Sequence, residues 1–143
     1  MLQTGDRAPD FSLADQAGGR ITLAGYRGGW LVLYFYPRDN TPGCTLEARD
    51  FTCLQEEFAA LGVRILGVSR DSAESHRKFI ERQSLTLTLA SDPDHAVMEA
   101  YGAWREKKLY GKIGLGVIRS TFLIDPQGTI VRSWNNVRAK GHA

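Results

Sequence analysis

In the stretch Asn40-Thr41-Pro42-Gly43-Cys44-Thr45, a cysteine stands where a chain-breaking Pro-Gly pair gives way to a helical pattern, and Cys53 follows nine residues later. A thiol at the start of a helix faces free N–H groups and the positive end of the helix dipole, and both favour the thiolate, the form in which sulfur is a nucleophile. Lowering a thiol pKa from about 8.5 to about 6 takes roughly 3.4 kcal/mol, whereas a helix end supplies ~0.3–1 and at best ~2 kcal/mol. A cationic side chain must supply the rest. The candidates are Arg49, one turn along the same helix, and Arg119, which interrupts the apolar run Val117-Ile118-Arg119-Ser120-Thr121-Phe122-Leu123-Ile124. Arg119 is the better candidate, because a cation in such a run incurs a desolvation cost without return unless it meets a partner. A sheet edge facing water is the other place for it. Thr41, three residues before Cys44, can bring its hydroxyl to the sulfur or to an oxygen bonded to it, and Pro37 can stiffen the loop and keep water off the thiolate. Taken singly, either residue is also explained by turn chemistry.

These residues need elements to hold them. Residues 30–36 are continuously apolar, β-branched or aromatic, as in a central strand covered on both faces, and Pro37 ends that strand. After the Pro42-Gly43 break, residues 44–61 read as a helix whose apolar stripe is Phe51, Leu54, Phe58 and Leu61, closed by Gly62. Residues 63–68 read as a second buried strand, Asp71-Ser72-Ala73-Glu74 as the capped start of another helix, residues 85–90 as a short strand and 91–101 as a short helix. Residues 105–116, rich in Lys and Gly, read as a loop. Residues 117–124 and 129–134 form a hairpin around Asp125-Pro126-Gln127-Gly128, and residues 10–13 and 20–23 form a smaller one near the start, around the turn 15–19. The order describes an α/β domain, a mixed sheet with helices on both faces.

The chain of 143 residues fits one domain, residues 1–143, and its 43% apolar and 24% charged residues are those of an ordinary globular protein. A net charge of +2 gives no ground for a nucleic-acid or anionic-membrane partner. The apolar run 30–36 is far below the ~20 residues that span a bilayer. Residues 1–6 lack a basic segment followed by an apolar one, which points to the cytoplasm, where two cysteines would rest as thiols.

Taken together, Pro37-x-x-x-Thr41-x-x-Cys44 and a distant Arg119 in "IRSTFLID" resemble the active site of the peroxiredoxins. More narrowly, "LYFYPRDNTPGCTLEARDF", "SRDSAESHRKF" and "VIRSTFLIDPQGTI" resemble the Q-type branch, also called bacterioferritin comigratory protein. The similarity runs from Gly5-Asp6 to Gly141-His142, beyond which the family continues into a last helix. It implies a thioredoxin-like fold with an N-terminal β-hairpin extension, and a thiol-dependent peroxidase acting on hydrogen peroxide and organic hydroperoxides. It also implies no metal or organic cofactor, thioredoxin or another thiol as reductant, and a monomer or weak dimer. By the same resemblance Cys44 is the peroxidatic thiolate, Thr41 and Arg119 contact the peroxide, Pro37 closes the pocket and Glu47 orients Arg119. The N–H groups around Gly43 and Cys44 would add donors along the S···O···O line, where negative charge spreads in the displacement.

Cys53 departs from the pattern. Q-type members with an internal disulfide carry the second cysteine at the place of Arg49 or near Ile80, and neither is cysteine here. On an intact helix Cys44 and Cys53 are about 13.5 Å apart along the axis and on opposite sides, against the roughly 7 Å between Cα atoms that a disulfide allows. Three readings stay open: a semi-buried helix residue with an external thiol resolving Cys44, an internal resolving thiol that requires about two and a half turns to unwind, and an intermolecular one. A thioredoxin-like disulfide exchanger is disfavoured by the Cys-x8-Cys spacing. A binding module using Trp104-Arg105-Glu106-Lys107-Lys108-Leu109-Tyr110 is the non-enzymatic alternative. His76, His95 and His142 lack metal-ligand spacing and read as surface or helix histidines, and the glycines of residues 111–116 precede a strand, unlike a phosphate-binding loop.

Overall fold

The computed structural model describes residues 4–109 and 112–134; Tyr110, Gly111, His142 and the Gly141-His142 end of the resemblance lie outside the described residues. In chain order the elements are β1 (Ser12–Asp15), β2 (Arg20–Thr22), a 3-10 turn, β3 (Trp30–Phe35), α1 (Pro42–Ala60), β4 (Val63–Ser69), α2 (Ala73–Gln83) and β5 (Thr88–Ser91). They continue with α3 (Ala96–Ala100), β6 (Trp104–Leu109), β7 (Lys112–Val117), β8 (Ser120–Ile124) and β9 (Ile130–Trp134).

Strand β3 organises the rest. Its side chains alternate, so Leu31, Leu33 and Phe35 enter one core while Val32, Tyr34 and the following Tyr36 enter the other, and all six are buried. The first core continues through Leu66, Val68, Met98, Tyr101 and Phe122. The second continues through Ala48 and Phe51 of α1, Phe79 of α2, Leu87 and Leu89. Helices thus cover both faces, α1 and α2 on one and α3 on the other. β3 pairs parallel with β4 and antiparallel with β8, in a seven-stranded mixed sheet of order β2-β1-β5-β4-β3-β8-β9. The N-terminal hairpin β1–β2 extends the sheet by pairing antiparallel with β5. Among the described residues no helix is long and apolar enough to cross a membrane.

Several boundaries differ from the sequence expectation. α1 begins at Pro42, because proline is tolerated in the first turn where its missing N–H has no partner to lose. Its buried stripe is Cys44, Glu47, Ala48 and Phe51; Leu54 is only half-buried, and Leu61 is 74% exposed, because it caps the helix where the chain turns away. The expected loop 105–116 is instead the two-stranded ribbon β6–β7, in register from Trp104↔Val117 to Leu109↔Lys112. Its glycines hid a period-two pattern, Ile113, Leu115 and Val117 alternating with Gly114 and Gly116. The strand expected over 117–124 is broken at Ile118 and Arg119, between β7 and β8. The strand expected over 85–90 shrinks to β5, and the helix expected over 91–101 shrinks to α3, whose first amides, on Val97 and Met98, donate to the Asp92 carboxylate.

Gly67 marks the tightest point. In β4 it lies opposite Tyr34 on one side and Leu89 on the other, and a Cβ there would sit 2.6 Å from Tyr34 Cζ and 2.8 Å from Leu89 Cδ2. Tyr34 stacks on Phe51 of α1 with ring centroids 4.7 Å apart, so pushing Tyr34 disturbs the seat of that helix. Gly67→Ala is expected to destabilise the protein by about 1–3 kcal/mol in urea unfolding, the usual cost of overpacking; an unchanged midpoint would mean that the Tyr34 ring moves freely.

Candidate active site

The site is built where β3 ends, α1 begins and the β7–β8 junction returns. Thr41 is the N-cap residue, in extended backbone (φ −88°, ψ 155°), and the first intrahelical bond is Thr45 N–H to Thr41 O at 2.8 Å. Pro42 has no N–H, so the amides of Gly43 and Cys44 lie in the first turn of α1, ahead of the helical ladder and without an intrahelical partner. Cys44 itself is 2% exposed.

Arg119 reaches this sulfur from seventy-five residues away, its Nη2 donating to Cys44 Sγ at 3.1 Å. Its backbone is fixed on one side by Ile118 N–H donating to Ala103 O at 2.7 Å and by Ser120 Oγ–H donating to Ile118 O at 2.8 Å. The same guanidinium donates through Nη1 to Glu47 Oε1 at 2.5 Å. A planar group with donors in a fixed fork holds a sulfur and a carboxylate at once in one set geometry, which the freely rotating ammonium of lysine does not impose. Burial works against the Arg119 cation, but its interactions with Glu47 and Cys44 outweigh it and hold its pKa above the ordinary guanidinium value. Arg49, the other sequence candidate, is exposed.

Glu47 lies one turn into α1 with its side chain fully buried. Burial pushes its carboxyl from 4.5 up to about 7, with the Arg119 charge and hydrogen bond pulling the other way. Its second oxygen, Oε2, and the hydroxyl of Tyr34 are both buried without a hydrogen-bond partner. Burial, then the charges of Glu47 and Cys44, push the Tyr34 hydroxyl far above its usual value, so it stays neutral beside them.

The remaining expected residues are near but arranged differently. The Thr41 hydroxyl donates to Arg38 O at 2.9 Å, and so must turn to reach anything bound at Cys44. Pro37 follows the buried Tyr36 directly and is half-buried. Cys53 is exposed and not semi-buried, on an unbroken stretch of α1, because its position faces away from the sheet. Leu46, on the same side, is also exposed. Both cysteines are free thiols.

One cluster escaped the sequence reading. His76, expected as a surface or helix histidine, is on α2 but fully buried, bonded to Asp39 of the loop that leads into α1. A signal was present: positions 76, 79, 80 and 83 repeat at helical spacing, so His76 lies on the stripe that carries the buried Phe79. His95 stacks on Trp104, ring centroids 4.1 Å apart, far from any ligand set. Among the described residues no group of three or more His, Cys, Asp or Glu converges as a metal site would require.

The AhpC/TSA family matches residues 4–133. The chain is 48% identical over 134 residues to peroxiredoxin Bcp of Xanthomonas campestris, covering 94% of this chain and 84% of that one. It is 45% identical over 141 residues to peroxiredoxin Bcp of Bacillus subtilis, covering 99% and 90%. A solved structure of the Xanthomonas campestris bacterioferritin comigratory protein, studied for its alkyl peroxide reduction activity, matches with a TM-score of 0.88 and 46% identity over 92% of this chain and 84% of that chain.

The raised Glu47 carboxyl has a thermodynamic consequence. Because the folded protein binds this proton more tightly than the unfolded chain, its contribution to stability is complete below about pH 4.5 and is lost as pH rises through about 7. Glu47→Gln removes that slope. Relative to the parent, the variant is expected to gain on the order of 3 kcal/mol in urea unfolding between about pH 4 and pH 8, while losing peroxidase activity because a neutral amide holds Arg119 less firmly. A stability difference that stays constant over that range would refute the assignment.

Proposed function

The chain belongs to the AhpC/TSA family and is a thiol-dependent peroxidase of the peroxiredoxin kind, and on that premise we propose that Cys44 is its peroxidatic nucleophile and Arg119 the cation that activates it. The observation that carries this reading is the Arg119 fork, one arm on Cys44 Sγ and the other on Glu47. A guanidinium at 3.1 Å, added to the helix end, supplies the stabilisation of the thiolate that the dipole alone lacks.

In the step itself the Cys44 thiolate attacks one oxygen of a peroxide, forming an S–O bond as the O–O bond breaks. The sulfur loses two electrons to the peroxide, and the second oxygen leaves as hydroxide or alkoxide and takes a proton to become water or an alcohol. Negative charge therefore moves from sulfur to the departing oxygen. Arg119 already donates to the sulfur, the free amides of Gly43 and Cys44 at the helix start would add donors along that path, and the Thr41 hydroxyl would join them by releasing Arg38 O. Pro37 limits water at the sulfur, and Glu47 fixes the guanidinium. The alkyl peroxide reduction of the Xanthomonas campestris relative supports organic hydroperoxides as substrates beside hydrogen peroxide.

The product is Cys44 sulfenic acid, which condenses with a thiol to a disulfide and water. We propose an external thiol for this step, thioredoxin or another, because Cys53 lies about 13.5 Å along an intact helix from Cys44. The two thiols suit a reducing compartment, the cytoplasm; the net charge of +2 gives no ground for a nucleic-acid or membrane partner, and the family resemblance suits a single-domain monomer or weak dimer.

Cys44→Ser is expected to abolish peroxide turnover, and Arg119→Lys to lower kcat/KM by about 10²–10³-fold in a stopped-flow peroxide assay. Treating reduced protein with one equivalent of peroxide should add about 16 Da, in the parent and in Cys53→Ser alike. A loss of about 2 Da with no remaining free thiol, abolished in Cys53→Ser, would instead make Cys53 the resolving residue.

A further inference from the structure

We infer that His76 is a positioning residue for the Cys44 chemistry: through Asp39 it holds loop 37–41, and with it the first turn of α1, in the closed form without touching the sulfur. This rests on the reading of Cys44 as the peroxidatic thiol.

Asp39 is the hub of the loop, its side chain 3% exposed and that of His76 0%. One carboxylate oxygen accepts from His76 Nδ1 at 2.7 Å and from Ser75 Oγ–H at 2.8 Å; the other accepts from the Tyr36 hydroxyl at 2.5 Å. The Asp39 backbone N–H donates to Asp71 Oδ2 at 2.7 Å, and Asp71 is steadied by the Ser69 hydroxyl. The ties therefore run from the loop to the end of β3, the end of β4 and the first turn of α2. The far nitrogen of His76, Nε2, lies 3.0 Å from Ala90 O on β5. A carbonyl oxygen can only accept, so this second bond pins the ring against the sheet while Nδ1 holds the carboxylate.

Polar ties, more than packing, hold this loop. A groove of about 300 Å³ opens beside these ties, lined by Asp39, Asn40, Ser72, Ser75, Lys78 and Phe79 among others. The next residue, Asn40, has a left-handed backbone at φ 62°, a conformation that a free loop visits rarely but asparagine tolerates better than most.

The consequence for the reaction follows from burial. At 2% exposure, Cys44 is sheltered for attack on a peroxide, but its sulfenic acid is equally sheltered from a second thiol. The first turn of α1 must open for that thiol to reach the sulfur, and opening strains the Asp39 ties at the other end of Pro42-Gly43. A strong His76–Asp39 pair thus favours the peroxide step and delays resolution. The delay leaves the sulfenic acid open to a second peroxide, which transfers an oxygen to sulfur and leaves as alcohol or water, giving sulfinic acid.

The two amides that mimic the two ring nitrogens separate the contributions. His76→Asn keeps a donor at the Nδ1 position facing Asp39, whereas His76→Gln keeps one at the Nε2 position facing Ala90. Loss of a charge-assisted hydrogen bond in His76→Gln is expected to lower kcat/KM for peroxide about tenfold, with His76→Asn within about threefold of the parent. Amide hydrogen exchange over residues 37–48 should quicken in His76→Gln with the rest of the chain unchanged, and more peroxide should be needed for sulfinic acid to form. Equal behaviour of the two variants, or faster exchange throughout the chain, would overturn the proposal. Should the His76 variants fail to fold, Asp39→Asn reads the same loop, and unaltered exchange over 37–48 would overturn it too. Residual turnover in Cys44→Ser would instead remove the underlying reading; an inactive Cys44→Ser beside unaltered His76→Gln kinetics removes this inference alone.

Discussion

A guanidinium shared between a sulfur and a buried carboxylate is the interaction that the rest of this structure serves. Arg119 is costly to bury and Glu47 costlier, for its side chain is fully buried with one oxygen unpaired. Neither residue makes sense alone in an apolar setting. As a pair they give a cation held at 3.1 Å from Cys44 Sγ by something other than the thiolate itself. On the proposed role of Cys44 that matters, because the sulfur would lose its charge during the reaction, and an arginine bound only to that sulfur would lose its anchor at that moment. In that proposal the Glu47 carboxylate keeps it in place through the change, which is what preorganisation means here.

The sheet is arranged so that this meeting can occur. β3 carries the chain to Pro37 and so fixes where α1 begins, and β8, antiparallel beside it, starts immediately after Arg119, with Ser120 opposite Phe35. Two strands in register thus deliver an arginine and a helix start to the same end of the sheet. Tyr34 and Phe51, stacked at 4.7 Å, set the depth of α1 on its face. Gly67 opposite Tyr34 exists to make room for that ring.

What was legible in the sequence follows physical lines. Strand β3 could be read because it is buried on two faces and so is continuously apolar, β4 because Ile65, Leu66 and Val68 follow the helix stop at Gly62, and the Cys44 helix because its Pro-Gly start and Gly62 end are local signals. Arg119 could be singled out because a cation in an apolar run demands a partner. The β6–β7 ribbon was illegible because glycine at alternate positions suppresses the strand pattern that Ile113, Leu115 and Val117 would otherwise show. The Asp39–His76 pair was missed for a different reason. Each residue is ordinary in its own segment, an aspartate in a turn and a histidine on a helix, and only a tertiary contact between positions thirty-seven apart makes them unusual.

The two cysteines show why one resting structure must be read as half of a cycle. A buried thiolate beside a fixed cation suits attack on a small peroxide, which needs a dry, ordered pocket. Resolution needs the reverse, a sulfur that a second thiol can approach in line. Cys53 on an unbroken helix cannot make that approach, and a bulky external thiol cannot enter a site where Cys44 is 2% exposed. On the proposed reading of Cys44, whichever thiol resolves its sulfenic acid requires the first turn of α1 to leave its place. The free energy holding that turn closed would then set rates in both half-reactions, with opposite sign. In this chain its polar part lies in the short loop between Pro37 and Thr41, tied by Asp39, while its apolar part lies at Ala48 and Phe51 further along the helix. An opening that breaks the first and spares the second exposes Cys44 without unseating α1 from the sheet.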